Sequence, residues 1–168
     1  MRVRITVAIA IFLSLSGSMF AQGKKPYALL PGSAAHGISR LCSREGISGV
    51  SGSWRPDADQ LGLLESRLMS VSRLRSIGGD IGEIRDVQIL QPDAYYRQYI
   101  PAVVGSKKVI YVNAFSFKPP ASWRTRLVDI CDTGATEWGV LYDPTTGEFS
   151  DLRTNAPLPV PPPPPSPR

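Results

Sequence analysis

The apolar residues change their spacing part-way along the chain, and that change restricts the fold more than any other feature. Leu61, Leu64, Leu68 and Val71 recur at three- and four-residue steps, prolonged by Leu74 and Ile77, which is the spacing of one buried face of an α-helix. Pro56 suits a first turn, and Asp57 and Asp59 complement the positive end of the helix dipole. Arg67, Arg73 and Arg75 complement the negative end, and Gly78-Gly79 offers a left-handed stop. Beyond Gly82 the period becomes two. Val87-Gln88-Ile89-Leu90 reads as a short strand ended by Pro92-Asp93, and residues 95–104 as another, with Pro101 marking a bulge or an edge. After the Gly105-Ser106-Lys107 turn, Val109, Tyr111, Asn113 and Phe115 alternate with Ile110, Val112 and Ala114, the pattern of a strand covered on both faces. Residues 126–131 make a further short strand turned by Asp132-Thr133-Gly134. A hairpin then sets Trp138, Val140 and Tyr142 on one face, with Asp143-Pro144-Thr145-Thr146-Gly147 as its turn and residues 149–153 as its return. The expected fold is α+β: one N-terminal amphipathic helix packed on an antiparallel meander of about five or six strands.

The ends of the chain follow other rules. Residues 1–21 open with Arg2 and Arg4, run apolar and close on small residues before Ala21, the pattern of a secretory signal peptide. The apolar run is about a dozen residues, short of the roughly 20 that a bilayer span needs, so no stable membrane span is expected. Residues 22–53 are rich in Ser and Gly and read as a loop segment. Residues 54–155 read as the α+β domain, and residues 156–168 as a disordered tail holding eight of the 16 prolines. Consecutive prolines lack amide donors and favour a polyproline II rod, which suits a spacer or a ligand for an aromatic groove. Losing Arg2 and Arg4 takes the 19 basic residues to 17 against 14 acidic, a net of +3, and with it goes the main argument for a nucleic-acid partner.

Export places Cys42 and Cys131, the two cysteines of the chain, in an oxidising compartment where a bridge is the default. Two separate buried thiols are the alternative. His36 is the single histidine, and one His with two distant Cys lacks the close-spaced ligand pairs of a zinc site. The glycines of residues 46–52 resemble a phosphate cradle only superficially, because the helix that follows begins with acids. No metal and no cofactor is expected.

The series Tyr96-Arg97-Gln98-Tyr99, Ile110-Tyr111-Val112-Asn113-Ala114-Phe115, Trp123, Cys131-Asp132, Trp138-Gly139-Val140 and Tyr142-Asp143-Pro144 resembles an uncharacterised family of small exported bacterial proteins, over about residues 54–155. The chain departs from that pattern at Thr133, where a second glycine would give Asp-Gly-Gly. The resemblance implies a bacterial, exported, single-domain protein, periplasmic or secreted, and brings no activity with it. In outline a helix backed by an antiparallel sheet is also similar to the cystatin-like proteins and to β-lactamase inhibitor protein, scaffolds that bind rather than catalyse.

Two kinds of function compete. Asp132-Thr133-Gly134 resembles the active-site loop of aspartic proteases, in which a carboxylate shares a proton with its mate and activates water. Only 34 residues follow Gly134, too few for the β-rich lobe that such a site needs. A paired-carboxylate glycosidase would use Glu137 with Asp132 or Asp143, but acids beside turns more often cap or face solvent. The competing class is a non-catalytic binding or inhibitor-like module. Aromatics gather in or beside the strands, and a meander over one helix leaves a sheet face open, so Tyr96, Arg97, Tyr111, Trp138 and Tyr142 are the expected binding residues. The expected partner is another exported or envelope protein or a cell-wall component.

Overall fold

A computed structural model describes residues 24–78, 83–84 and 87–156; the expected signal peptide and most of the proline-rich tail lie outside the described residues. Among the described residues eight strands form one sheet: β1 (Tyr27–Leu29), β2 (Val50–Gly52), β3 (Ile77–Gly78), β4 (Glu83–Ile84), β5 (Tyr96–Val104), β6 (Lys107–Phe115), β7 (Glu137–Asp143) and β8 (Glu148–Thr154). Their order is β1-β5-β6-β7-β8-β3-β4, with β2 beside β1 on the same edge of β5. Strands β5 to β8 are the antiparallel meander. The pairs β1–β5 and β3–β8 are parallel, because each of these short outer strands reaches the meander from elsewhere in the chain rather than through a tight hairpin. Among the described residues no helix is long and apolar enough to cross a membrane.

The helical stripe forms α1 (Ala58–Arg67), continued without a break by a 3-10 helix at Leu68–Arg73. Asp57 is its N-cap: its carboxylate accepts the Gln60 N–H at 2.8 Å while Gln60 Oε1 accepts the Asp57 N–H at 3.0 Å. This reciprocal pair stabilises a helix start by about 1 kcal/mol. Pro56 stands one residue before the cap. Leu64, Leu68 and Val71 are buried against Tyr99, Ile110, Val112, Trp138, Val140, Tyr142 and Leu152, each buried aliphatic side chain contributing about 2 kcal/mol. Arg67 joins the helix to the β7–β8 turn by donating to the Thr146 and Gly147 carbonyls at 3.0 and 2.9 Å.

The structure corrects the sequence expectation at several points. The helix ends at Arg73 and Leu74, so Gly78-Gly79 is not its cap; Gly78 pairs with Thr154 instead. Residues 87–90 form no strand: Ile89 turns into the core while Leu90 is 68% exposed. The stretch 22–53 contributes β1, β2 and a 3-10 helix at Gly32–Ser39, whose Ala35 and Ile38 pack with Ile100, Ala102, Val109 and Tyr111. This segment covers the sheet face opposite α1, the face that was expected to lie open. Cys42 and Cys131 are bridged, with Cα atoms 4.9 Å apart, and the bridge fastens that cover to the segment ending at Cys131.

Pro101 interrupts nothing. It pairs with Ile110 in an unbroken β5–β6 register. The Arg97 N–H and the Tyr99 carbonyl point outward to Pro26 and Leu30, and strand alternation sends the Pro101 nitrogen the same way. On that outer side β1 pairs only with residues 97–99 and β2 only with residues 103–104, so the missing donor falls in the gap between them.

Gly147 has φ +72°, and a Cβ there would meet the Arg67 guanidinium. Gly147→Ala is therefore expected to destabilise the fold by about 2 kcal/mol in urea titration. Replacing both cysteines by serine should cost about 4 kcal/mol, read in the same way.

Candidate functional site

The expected site residues are not brought together. Trp138 and Tyr142 lie under α1, and Tyr111 lies on the opposite face under the Gly32–Ser39 cover. Both tyrosine hydroxyls are held above their ordinary pKa by burial. Arg97 is fully buried and donates to the backbone carbonyls of Lys25, Asp93 and Tyr95 at 2.6, 3.1 and 2.7 Å. It also approaches Glu65; burial lowers its pKa, and Glu65 opposes that. Tyr96 is half-buried, stacked on Phe115 and edge-on to Trp123. Four of the five residues expected to bind are thus interior: α1 covers Trp138, Tyr142 and Arg97, and the N-terminal segment covers Tyr111.

A set of buried polar side chains occupies that second face. Gln98 on β5 and Asn113 on β6 are direct neighbours across the sheet, and Arg44 enters from the N-terminal cover to donate to Asn113 Oδ1. Arg44 also lies 3.4 Å from Glu137 on β7, both side chains at most 1% exposed. These groups turn toward residues 123–131. Gln98 donates to the carbonyls of Trp123 and Arg126 and accepts the Val128 N–H. Asn113 donates to the Val128 carbonyl, Glu137 accepts the Ile130 N–H, and Asn155 donates to the Ile130 carbonyl. This explains why residues 126–131 are not the expected strand: their backbone groups are satisfied by side chains of the sheet in place of a neighbouring strand. Gly139 makes room for the arrangement, since a Cβ there would collide with the Tyr111 ring and hydroxyl.

Glu137, named from the sequence as a possible acid of a carboxylate pair, is thus a buried structural group. Burial pushes its carboxyl up to about 7, against the opposing pull of Arg44 and of the Ile130 N–H. Asp143 sits in the hairpin turn, where its carboxylate accepts the Thr145 N–H at 2.8 Å. Asp132 has φ +56° and its N–H donates to Ser43 Oγ at 2.6 Å. Thr133 Oγ1 accepts from Asn155 at 2.9 Å, and the Gly134 N–H donates to the Ala156 carbonyl at 3.1 Å. The Asp-Thr-Gly turn therefore links the disulfide to the end of β8. His36 is exposed on the Gly32–Ser39 helix. Among the described residues no three His, Cys, Asp or Glu side chains are grouped to hold a metal.

A surface feature with room for chemistry lies at the β5 edge, where β1 and β2 leave their gap. A cleft of about 570 Å³ opens there, lined by Leu29, Pro31, Trp54, Pro56, Arg55 and Arg124, with Pro101 at its base. The Trp54 indole N–H donates to the Val109 carbonyl at 2.9 Å, and Arg124 lies over the Trp123 ring at 4.6 Å. No acidic residue lines the cleft. Sequence reasoning passed over Trp54, Arg55 and Arg124 because they stand in segments without period, and only the meeting of three loops assembles them. No known protein family, curated protein or solved structure was found to match the chain.

The Glu137 carboxyl gives the fold a pH dependence of defined sign. Its ordinary pKa is 4.5 and its folded value about 7, so between these the folded chain holds a proton that the unfolded chain has released. The resulting stability is full below pH 4.5 and is lost as pH rises through 7, an effect on the order of 3 kcal/mol. Thermal melts from pH 4.5 to pH 8 should show this decline, and Glu137→Gln should flatten it.

Proposed function

We propose that the chain is an exported, non-catalytic binding or inhibitor-like module, one of the small exported bacterial proteins whose sequence pattern it resembles. Its partner is an exported or envelope protein or a cell-wall component. The observation that carries this reading is the cleft at the β5 edge: an open concavity that combines an aromatic side chain, three prolines and two arginines, the mixture by which proteins anchor a partner. Gln98, Asn113 and Glu137, buried polar groups that in an enzyme would be candidates for chemistry, are engaged by the chain's own backbone. The disulfide is in keeping with export. In this reading Arg97, Tyr111, Trp138 and Tyr142 act through the shape they impose, while Tyr96 lies at the border of the surface. The cystatin-like outline is kept as an analogy of helix against sheet, in which loops and edges make the contacts.

In-cell cross-linking of the C-terminally tagged chain, with identification of captured proteins, tests the proposal. A single dominant partner is expected, lost in Trp54→Ala once that variant is verified as folded, and retained in Asp132→Asn. A hydrolase built on the Asp132-Thr133-Gly134 turn predicts the reverse: peptide-hydrolysing activity that Asp132→Asn removes and Trp54→Ala spares.

A further inference from the structure

We propose that β1 and the cleft beyond it receive an extended peptide carrying an acidic residue, added to the sheet as one more strand; this rests on the binding-module reading and names the occupant of its site. The first observation is the sheet edge. The Arg97 N–H donates to the Pro26 carbonyl and the Leu30 N–H to the Tyr99 carbonyl, at 3.3 and 2.9 Å. Alternation along a parallel ladder therefore turns the backbone groups of Tyr27 and Leu29 outward. No described strand pairs with that side of β1, and an unpaired edge is a template for strand addition. The side chains of the same two residues are 38% and 37% exposed. The Tyr27 ring is nonetheless held in place, stacked on Tyr99 at 4.7 Å, so the platform is ordered before anything binds.

The second observation is where the edge leads. From Leu29 the chain passes Leu30 and Pro31 into the cleft, so a strand laid along β1 reaches its arginines. Arg55 and Arg124 are exposed, neither has an ion-pair partner among the described residues, and the lining holds no acid to neutralise them. Stacking on Trp123 fixes the Arg124 guanidinium, and a planar guanidinium suits a carboxylate in particular. Residues 157–168 of the chain itself fit less well, since their prolines bring no amide donors and they contain no acidic side chain.

Fluorescence anisotropy on the full chain tests this with a labelled peptide of alternating valine and threonine ending in two glutamates. The controls are the same peptide ending in two lysines and one N-methylated at alternate residues. The glutamate peptide is expected to bind about tenfold or more tightly than the lysine peptide, with the N-methylated peptide failing to bind. Arg55→Glu/Arg124→Glu should reverse the preference, and the milder Arg55→Gln/Arg124→Gln should abolish it with an unchanged far-ultraviolet spectrum. Equal binding of the two charged peptides, or a preference that survives in the glutamine variant, overturns the proposal. So does a concentration-dependent dimer that leaves the peptides unbound, which would assign the edge to a second copy of the chain. If the cross-linked partner is still captured by Arg55→Glu/Arg124→Glu, the site falls and the binding-module reading stands.

Discussion

The domain depends on a backbone segment that has no strand partner. Residues 123–131 carry their carbonyls and amides against the sheet, where every unmet polar group would cost on the order of 1–3 kcal/mol. Gln98, Asn113, Glu137 and Asn155 meet them from β5, β6, β7 and the end of β8. Arg44 then ties Asn113 to Glu137 from above, and the disulfide secures both flanks of the arrangement, since Cys42 lies two residues from Arg44 and Cys131 ends the segment. A polar layer of this kind is demanding, because removing one member strands its partners in a medium of low polarity. It is also specific: an apolar layer would tolerate a shifted loop, whereas paired amides accept one register.

That layer also decides what the sheet can present to the outside. With one face under α1 and the other under the Gly32–Ser39 helix and residues 123–131, the aromatic strands have no open side. Accessible recognition chemistry is left to edges and to junctions between loops. The gap on β5 follows from Pro101, which has no donor for a continuous neighbour, so β1 and β2 stop on either side and the cleft opens between them. A residue that looks like a fault in a strand thus positions a concavity that joins an aromatic ring to two arginines without ion-pair partners among the described residues.

How far the fold could be read from the sequence differs from element to element for identifiable reasons. The helix was legible because Leu64, Leu68 and Val71 share one face and Asp57 with Gln60 spells a capping pair. The β7–β8 hairpin was legible because Asp143 and Gly147 suit their turn conformations. The alternation in residues 109–115 correctly indicated two covered faces. What covered the second face was not legible: Ala34, Ala35 and Ile38 are too few and too evenly scattered to announce a packing helix. Residues 126–131 looked like a strand because Leu127, Val128 and Ile130 are apolar, yet their partners are side-chain amides distant in sequence. Gln98 and Asn113, polar residues inside apolar strands, were the one available hint of that layer. Of the candidate site, Trp54, Arg55 and Arg124 carried no signal, since nothing local relates residues about seventy positions apart.

The sequence by itself determined the α+β class, the helix and the central antiparallel strands, while a bridge between its two cysteines was an expectation that the fold bore out. The first three depend on short-range periodicity and turn chemistry, which each segment carries alone. Only the tertiary structure decided which aromatics are interior, that Arg97 and Glu137 are buried and engaged, and that Trp54, Arg55 and Arg124 meet at an edge cleft. Those outcomes depend on which distant segments cover which face and on where buried backbone finds its hydrogen bonds, and neither is a property of any one stretch of residues.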